Sequence, residues 1–292
     1  MVLDARDGIN PSGHFFLDKS VRGEYSVAMS YTPSDKILKK YADVMVNFAL
    51  GGGKGIKKGD VVRLSANESA KPLYVAIFNA IIDAGGHVLP HYAPDEEKGD
   101  MRRNESTSRH FYENASDEQI KFFPAKYLRG VVDEMDHSLF ILADRDMHLM
   151  DGIDPKRIMA RGLAMKPFMD WRHQKEWKGK LSWSIVMYGT PAMAKEAGLS
   201  EKEYWQQIIK ACFLDEKSPI AKWKQVYKEI EKYRRKLNAI TPKVDRLHAV
   251  GPDMDLWIKL GEKRAWRSGS GANIPIFEIF TSPDWRCTEG WI

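Results

Sequence analysis

The feature that most constrains this chain is a regular alternation of buried strand-like runs and amphipathic segments. Four apolar runs, at 61–66, 87–92, 138–144 and 181–188, are separated by segments whose apolar residues recur at helical spacing. A strand, a helix and a strand within about 30 residues form a βαβ unit, in which the strands are parallel and the crossover is right-handed. We therefore predict an α/β fold with a mainly parallel sheet and helices on both faces.

Helix start and stop signals lie around these runs. Ser34 is a candidate N-cap for a first helix that the glycines at 51–53 end, and Pro72 opens a second helix that Gly85 and Gly86 close. Five further helix starts are predicted at Pro124, at Asp154-Pro155, at Thr190-Pro191, at the capping box of Ser200 and Glu203, and at Ser218-Pro219.

The texture of the sequence changes twice and suggests three regions. Residues 1–33 are polar and without period, and we interpret them as an N-terminal arm, with disorder as one alternative. Residues 34–242 form the predicted α/β domain. After residue 242 helical periodicity gives way to short strand-like runs and turn residues. We therefore predict that residues 243–292 begin a second, β-rich domain.

The composition excludes several classes of protein. Two Cys in 292 residues rule out a disulfide scaffold and a Cys-based zinc array. No apolar run reaches the roughly 18 residues of a membrane-spanning helix, and the N-terminus resembles neither a secretory signal nor a transit peptide. We expect a cytoplasmic protein that binds no membrane, with Cys212 in the core and Cys287 in a loop, neither of them a nucleophile.

Three other patterns suggest a function but favour structural interpretations. The glycines at 51–60 fit no phosphate-binding motif and precede a strand, so we interpret them as a helix end and a loop. His87 and His91 share one face of a predicted strand, but no third metal ligand is close to them in the sequence. The basic helix face at 222–236 is a pattern seen in nucleic-acid binding. Two glutamates interrupt it, however, and we favour a solvated face.

Glu278 is the one residue whose physical setting marks it as functional. It lies in the apolar run 274–280, which is typical of a strand, and alternation places it on the same face as Ile276 and Phe280. Burying an ionised carboxylate is costly unless it is paired or coordinates a metal. The residues leave two alternatives open: a metal ligand, or a strand-end glutamate paired to Arg264, Arg267 or Arg286.

The segment 273–291 resembles the start of the catalytic domain in the metallo-aminopeptidases typified by aminopeptidases T, S and PepS, the thermophilic metalloprotease family. KKGDVVRL and DAGGHVLPHY, earlier in the chain, agree with the same family, and the resemblance extends from about residue 36 to the C-terminus. Many relatives have two consecutive glutamates, whereas this chain has Phe277 before Glu278. The motif residues that it keeps are Asn273, Ile274, Pro275, Glu278, Phe280, Thr281 and Pro283.

The resemblance implies a hydrolase that releases N-terminal amino acids from peptides with two divalent metal ions (Zn, Co or Mn). In this family two Glu, two His and one Asp hold the ions, and a bound water attacks the scissile carbonyl. Only Glu278 of these ligands falls within the chain, so the other ligands and the catalytic residues are expected beyond residue 292. The resemblance also implies that residues 243–292 are an incomplete catalytic domain, inactive alone. The longer protein, of roughly 400 residues by typical domain size, is expected to be a homodimer without a nucleic-acid partner.

Two rival functions stay open on the residues alone. A non-catalytic α/β module would bind a small ligand at the carboxyl ends of its strands. A nucleic-acid-binding protein would use the basic face at 222–236, and its binding would depend steeply on salt. The discriminating observation is the reading frame beyond codon 292, where His and Asp ligands would support the enzyme.

Overall fold

The computed structural model describes residues 31–97, 106–260, 264–268, 273–275, 278–281 and 289–291. From Thr32 onward they belong to one compact unit. The arm predicted for residues 1–33 lies almost wholly outside the described residues, as do Ile276, Phe277 and Pro283 of the C-terminal motif.

Four parallel strands form the central sheet, which confirms the predicted fold class. Their bounds agree with the predicted ones within two residues. The third strand stops at Leu142, two residues early, because the chain turns there and the Asp144 carbonyl accepts a hydrogen bond from the Thr190 hydroxyl instead of a strand neighbour. The strands, in the spatial order β2-β1-β3-β4, are β1 (Val61–Asn67), β2 (His87–Ala93), β3 (His137–Leu142) and β4 (Ser182–Met187).

The helices begin where their capping residues predict. The side chains of Asp154 and Thr190 accept hydrogen bonds from backbone N–H groups of the first turn, and Ser200 forms its capping box with Glu203. The described helices are α1 (Asp35–Val44), α2 (Leu50–Gly53), α3 (Lys71–Asp83), α4 (Thr107–Asn114), α5 (Asp117–Lys121), α6 (Ala125–Glu134), α7 (Pro155–Trp177), α8 (Pro191–Glu196), α9 (Glu201–Ala211) and α10 (Pro219–Ile240).

A π-helical turn, Met45–Ala49, joins α1 to α2 and leads into the glycine-rich loop. Gly51 and Gly52 adopt left-handed backbone angles that end the helix, so the predicted helix end and loop are confirmed. At Gly55 the φ angle is +78°, and an added Cβ would lie 2.7 Å from the backbone of Asn47. Only glycine satisfies both conditions, because a side chain would meet main-chain atoms that cannot move aside.

Helices cover the two sheet faces unequally. One face of β1 buries Val62 and Leu64 completely. The opposite face lies under α6 and α7, which enclose an apolar cluster of Leu128, Val131, Val132, Met135, Phe168 and Leu181. On this second face Phe140 of β3 and Ile185 of β4 each remain 40% exposed, so this part of the face is less well covered. Within the described part of the chain, none of the helices has the length and apolarity needed to cross a bilayer.

Beyond α10 the structure is built of short strands, in agreement with the predicted change of texture. An antiparallel sheet contains β5 (Arg246–Gly251), β6 (Met254–Lys259) and β9 (Glu289–Trp291). A second antiparallel pair contains β7 (Arg267–Ser268) and β8 (Ile279–Phe280). The placement of the domain boundary near residue 242 stays a prediction.

Candidate functional site

Glu278 itself is exposed instead of buried. Among the described residues the predicted strand 274–280 is reduced to Ile279–Phe280, and Glu278 precedes it as an exposed residue. The expected burial of this carboxylate is therefore wrong. The physical reason is that β8 pairs with the equally short β7, and no described element covers the side chain. Glu278 makes no ion pair with Arg264 or Arg267 within the described residues, and Arg286 lies outside them.

Two attachments fasten this segment to the α/β domain. Asn273 forms an isolated parallel bridge with Ile185 at the free edge of β4, and the neighbouring Ile274 is only 2% exposed. Upstream, Trp266 lies on the end of α10. Its backbone N–H donates to the Asn238 side chain at 2.7 Å, and its indole N–H donates to the Thr241 hydroxyl at 2.7 Å. The motif residues Asn273 and Ile274 thus anchor the segment, while Glu278 stays accessible.

One of the described residues could act as a metal ligand, but the described residues do not form a complete metal site. Glu278 is an exposed carboxylate that has no ion-pair partner among the described residues, which suits a ligand. However, no group of three or more His, Cys, Asp or Glu side chains that could hold an ion occurs among the residues that the structure describes. We therefore derive no catalytic step through metal ions from this part of the protein.

A cleft of about 1240 Å³ lies at the amino ends of the parallel strands. This edge is opposite to the carboxyl ends at which the small-ligand alternative predicts a site. Cationic side chains outnumber carboxylates around the cleft, and Arg267 of β7 reaches it from the C-terminal segment. Its charged lining residues are Lys54, Lys57, Asp60, Arg129, Asp133, Asp136, Lys175, Glu176, Lys178, Lys180 and Arg267.

A hydrogen-bonded relay of Asp60, His137 and Ser182 lines this cleft. The His137 Nε2 atom lies 2.9 Å from an Asp60 carboxylate oxygen, and its Nδ1 atom lies 2.7 Å from the Ser182 hydroxyl. The Gly51 backbone N–H donates to the same hydroxyl at 2.9 Å. These contacts fit one tautomer, in which Nε2–H donates to Asp60 and Ser182 donates to Nδ1. The relay joins the starts of β1, β3 and β4 to the glycine loop.

We interpret the relay as structural. Its residue types match those of a serine-hydrolase triad, but the ring is reversed, since Nδ1 and not Nε2 faces the serine. Sequence reasoning missed these three residues because His137 lies 77 positions after Asp60 and Ser182 a further 45 positions on. The signal that could have found them is a polar residue at the start of three parallel strands, which meet at the same sheet edge.

The relay makes a prediction about acid stability. Burial alone would raise the pKa of Asp60, but hydrogen bonds from His137 and from the Lys57 backbone N–H lower this pKa below its usual value. The ionised carboxylate therefore contributes stability above the unfolded pKa of about 3.9. That contribution is lost as the pH falls through the lower folded-state pKa. We expect Asp60→Asn to reduce the free energy of unfolding by about 1–3 kcal/mol at neutral pH. In urea unfolding measured at a series of pH values, the stability of this variant should fall less steeply toward acid pH than that of the parent.

Asp133→Asn is the matched control for this prediction. Asp133 forms a 2.9 Å ion pair with Arg129, but both side chains are more than half exposed. Its loss should change stability by no more than about 0.5 kcal/mol. If the stability of Asp60→Asn falls toward acid pH as steeply as that of the parent, the relay does not depend on the charge of Asp60.

The other candidate residues lie apart from one another. His87 and His91 are both exposed, but the His91 ring is partly desolvated. This partial burial and the positive charge of Arg63 lower the pKa of His91. Cys212 is fully buried beside the Tyr41 hydroxyl, and burial raises the pKa of its thiol to about 12, so its prediction as a core residue is confirmed. Cys287 lies outside the described residues.

The basic face of α10 is partly neutralised within the helix itself. Glu231 accepts hydrogen bonds from Arg234 and Arg235, and the bond from Arg234 lowers the pKa of Glu231 to about 2 although partial burial opposes it. These ion pairs favour the interpretation of residues 222–236 as a solvated helix face.

The site thus consists of a parallel α/β sheet, a motif segment attached to the free edge of that sheet, and the accessible carboxylate of Glu278. Residues 34–292 match the family model described as thermophilic metalloprotease (M29), and the chain belongs to this family.

Individual relatives agree with this assignment. Aminopeptidase PepS of Streptococcus thermophilus is 25% identical over 278 residues, which cover 87% of this chain and 62% of PepS. Aminopeptidase AmpS of Bacillus subtilis is 25% identical over 275 residues with the same two coverages, 87% and 62%. The structure titled wild-type AmpT from Thermus thermophilus has a TM-score of 0.67 at 22% identity, over 87% of this chain and 63% of that one, and shows the likeness of the fold. The chain thus spans about three-fifths of the length of these relatives.

Proposed function

We propose that this chain, together with metal ligands supplied beyond residue 292, is a metal-dependent aminopeptidase that releases N-terminal amino acids from peptides. The observation that carries the proposal is the family match over residues 34–292. Relatives that match 87% of the chain are named aminopeptidases. The resemblance assigns Glu278 to the glutamate of the family motif, and the carboxylate of Glu278 is accessible.

The finer parts of the proposal rest on the resemblance. We propose two divalent ions per active site, with Glu278 as one ligand, and a homodimer in the cytoplasm that acts on peptides and binds neither membranes nor nucleic acid. We also propose that the 292 residues are inactive alone. The support is that one carboxylate cannot hold two ions, which need several oxygen or nitrogen ligands between them.

The test is an activity assay on two proteins, the 292-residue chain and the same chain extended by its downstream reading frame. Each is stripped with a chelator, supplied with Co²⁺ or Zn²⁺, and assayed on an aminoacyl-nitroanilide. We expect metal-dependent release of nitroaniline from the extended protein and only background release from the 292 residues.

Two outcomes would contradict the proposal. A stop codon directly after codon 292 would favour the small-ligand module, because the remaining ligands would then be missing altogether. Hydrolysis by the extended protein that persists in excess chelator would contradict the dependence on metal.

A further inference from the structure

Arg63 extends from an inner strand of the sheet toward helix α7. In the parallel register it pairs with Leu89 of β2 and Ser138 of β3, and Leu89 packs on the apolar cluster under α6 and α7. Its guanidinium carbon lies 5.8 Å from the centre of the Phe168 ring. A half-buried arginine in an inner strand is unusual, because an ionised group loses hydration there and needs a partner.

Arg172 meets the same ring from the next turn of α7. Its guanidinium carbon also lies 5.8 Å from the centre of Phe168, so the two charges cannot be farther apart than twice that distance. The Nε–H group of Arg172 is buried and has no hydrogen-bond partner among the described residues. Within the same residues its guanidinium makes one weak hydrogen bond, from Nη1 to the Met169 sulfur at 4.0 Å. A buried donor without a partner is costly, so the guanidinium is poorly satisfied where it lies.

The positive charge of this pair is only partly compensated within the described residues. Neither arginine makes an ion pair with any residue that the structure describes. Glu176, one turn further along α7, accepts a hydrogen bond from the Trp183 indole at 3.0 Å. Burial lowers the pKa of both arginines and the charge of Arg172 lowers the pKa of Arg63 further, whereas the charge of Glu176 opposes the effect of burial on Arg172. Two guanidinium groups therefore share one half-buried place, and an anion would relieve both their repulsion and their lost hydration.

Both arginines are half-buried, so part of each side chain remains accessible to a small ligand. Ser138, the register partner of Arg63, is followed two residues later on the same face by Phe140, which is 40% exposed. Ile185, the register partner of Phe140 on β4, is also 40% exposed. The less well covered part of this face therefore begins beside the arginine pair.

We infer that Arg63 and Arg172 form a binding site for a small oxyanion with at least two negative charges, a phosphate or a polycarboxylate. The planar guanidinium group of an arginine can donate to two oxygens of one phosphate or carboxylate at the same time. A lysine ammonium group cannot bind in this bidentate way. The Phe168 ring lies beside both guanidinium groups, and their terminal N–H groups supply the donors to the ligand. This site lies on the sheet face under α7, uses neither Glu278 nor the cleft, and is independent of the proposed peptidase function.

The test measures thermal unfolding and calorimetric binding of the 292-residue chain with inorganic phosphate and with citrate, against NaCl at equal ionic strength. We expect a saturable rise of the unfolding temperature with at least one of the two anions, since a ligand that binds only the folded state stabilises it. The arm that responds identifies the ligand as a phosphate or a carboxylate. Arg172→Gln and Arg63→Gln should each weaken binding about tenfold or more, because each removes a charged hydrogen-bonding partner.

Arg129→Gln is the matched control. Arg129 also lies over an aromatic ring, that of Trp171 at 5.4 Å, but it is already paired with Asp133. Its loss should leave anion binding unchanged. If Arg63→Gln does not fold, Arg63→Lys and Arg172→Lys replace it, and both should bind more weakly than the parent because the bidentate fork is lost. No response beyond that of NaCl, or equal loss of binding in Arg129→Gln, would overturn the inference.

Discussion

Glu278→Gln in the extended protein should lower peptide turnover by about two orders of magnitude or more, without unfolding the chain. Gln keeps the size of the side chain but removes the negative charge that a divalent ion requires of a carboxylate ligand. Because Glu278 is exposed and unpaired within the described residues, the free energy of unfolding should change by no more than about 0.5 kcal/mol. The measurements are hydrolysis of an aminoacyl-nitroanilide with added Co²⁺ or Zn²⁺ and metal content by elemental analysis.

Glu229→Gln provides the matched control, since Glu229 is an exposed glutamate on α10 outside the family motif. It should retain both activity and metal. A Glu278→Gln protein that retains near-parental activity and two ions per chain would remove Glu278 from the metal site. A metal ligand should lose activity on substitution while the stability of the protein changes little. A residue that only stabilises the strand should instead lose stability.

Trp223→Ala should have the largest effect on stability, a loss of about 3–5 kcal/mol. Trp223 is completely buried, and its indole N–H donates to the Cys212 carbonyl at 3.1 Å. Its ring packs between Phe48 at 6.5 Å and Phe213 at 5.0 Å, so it joins α10 to the end of α9 and to the π-helical turn. Phe213 has a left-handed backbone with φ of 56°, a conformation that is uncommon for a residue with a side chain and that this packing helps to hold.

Trp177→Ala makes the same chemical change at the surface. Trp177 ends α7 and is 78% exposed. Its loss should change the free energy of unfolding by no more than about 0.5 kcal/mol in the same urea titration. Comparable losses in the two variants would mean that burial of Trp223 does not stabilise the fold in the way its contacts indicate.

The sequence predicted the parts of this structure that depend on local signals. The strands at 61–66 and 87–92 and the helix starts at Asp154, Thr190 and Ser200 follow from periodicity and capping chemistry, which act over a few residues. Helices α4 and α5 were not predicted. They are short, and α4 buries no side chain, so they carry little apolar period.

The parts that escaped prediction depend on distant residues meeting in space. Asp60, His137 and Ser182 meet because parallel strands begin at the same edge, and no spacing in the chain announces that. Arg63 appeared as one polar residue in an apolar run, and only the position of α7 shows that Arg172 joins it. Glu278 was placed in a buried strand because its neighbours are apolar, whereas the coverage of a strand is set by what packs on it.

The hydrogen bonds of Trp266 to the end of α10 close the β5–β6 hairpin into a loop that starts and ends at the same place. The polypeptide leaves the α/β domain at Thr241, forms β5 and β6, and returns to the same helix end, where Trp266 bonds to Asn238 and Thr241. The segment that starts at Trp266 is therefore anchored independently of the length of chain between Thr241 and Trp266, whereas β9 returns to pair with β6. Because the entropy of loop closure grows slowly with length, residues added at the turn between β5 and β6 should cost little stability and leave the Trp266 anchor in place.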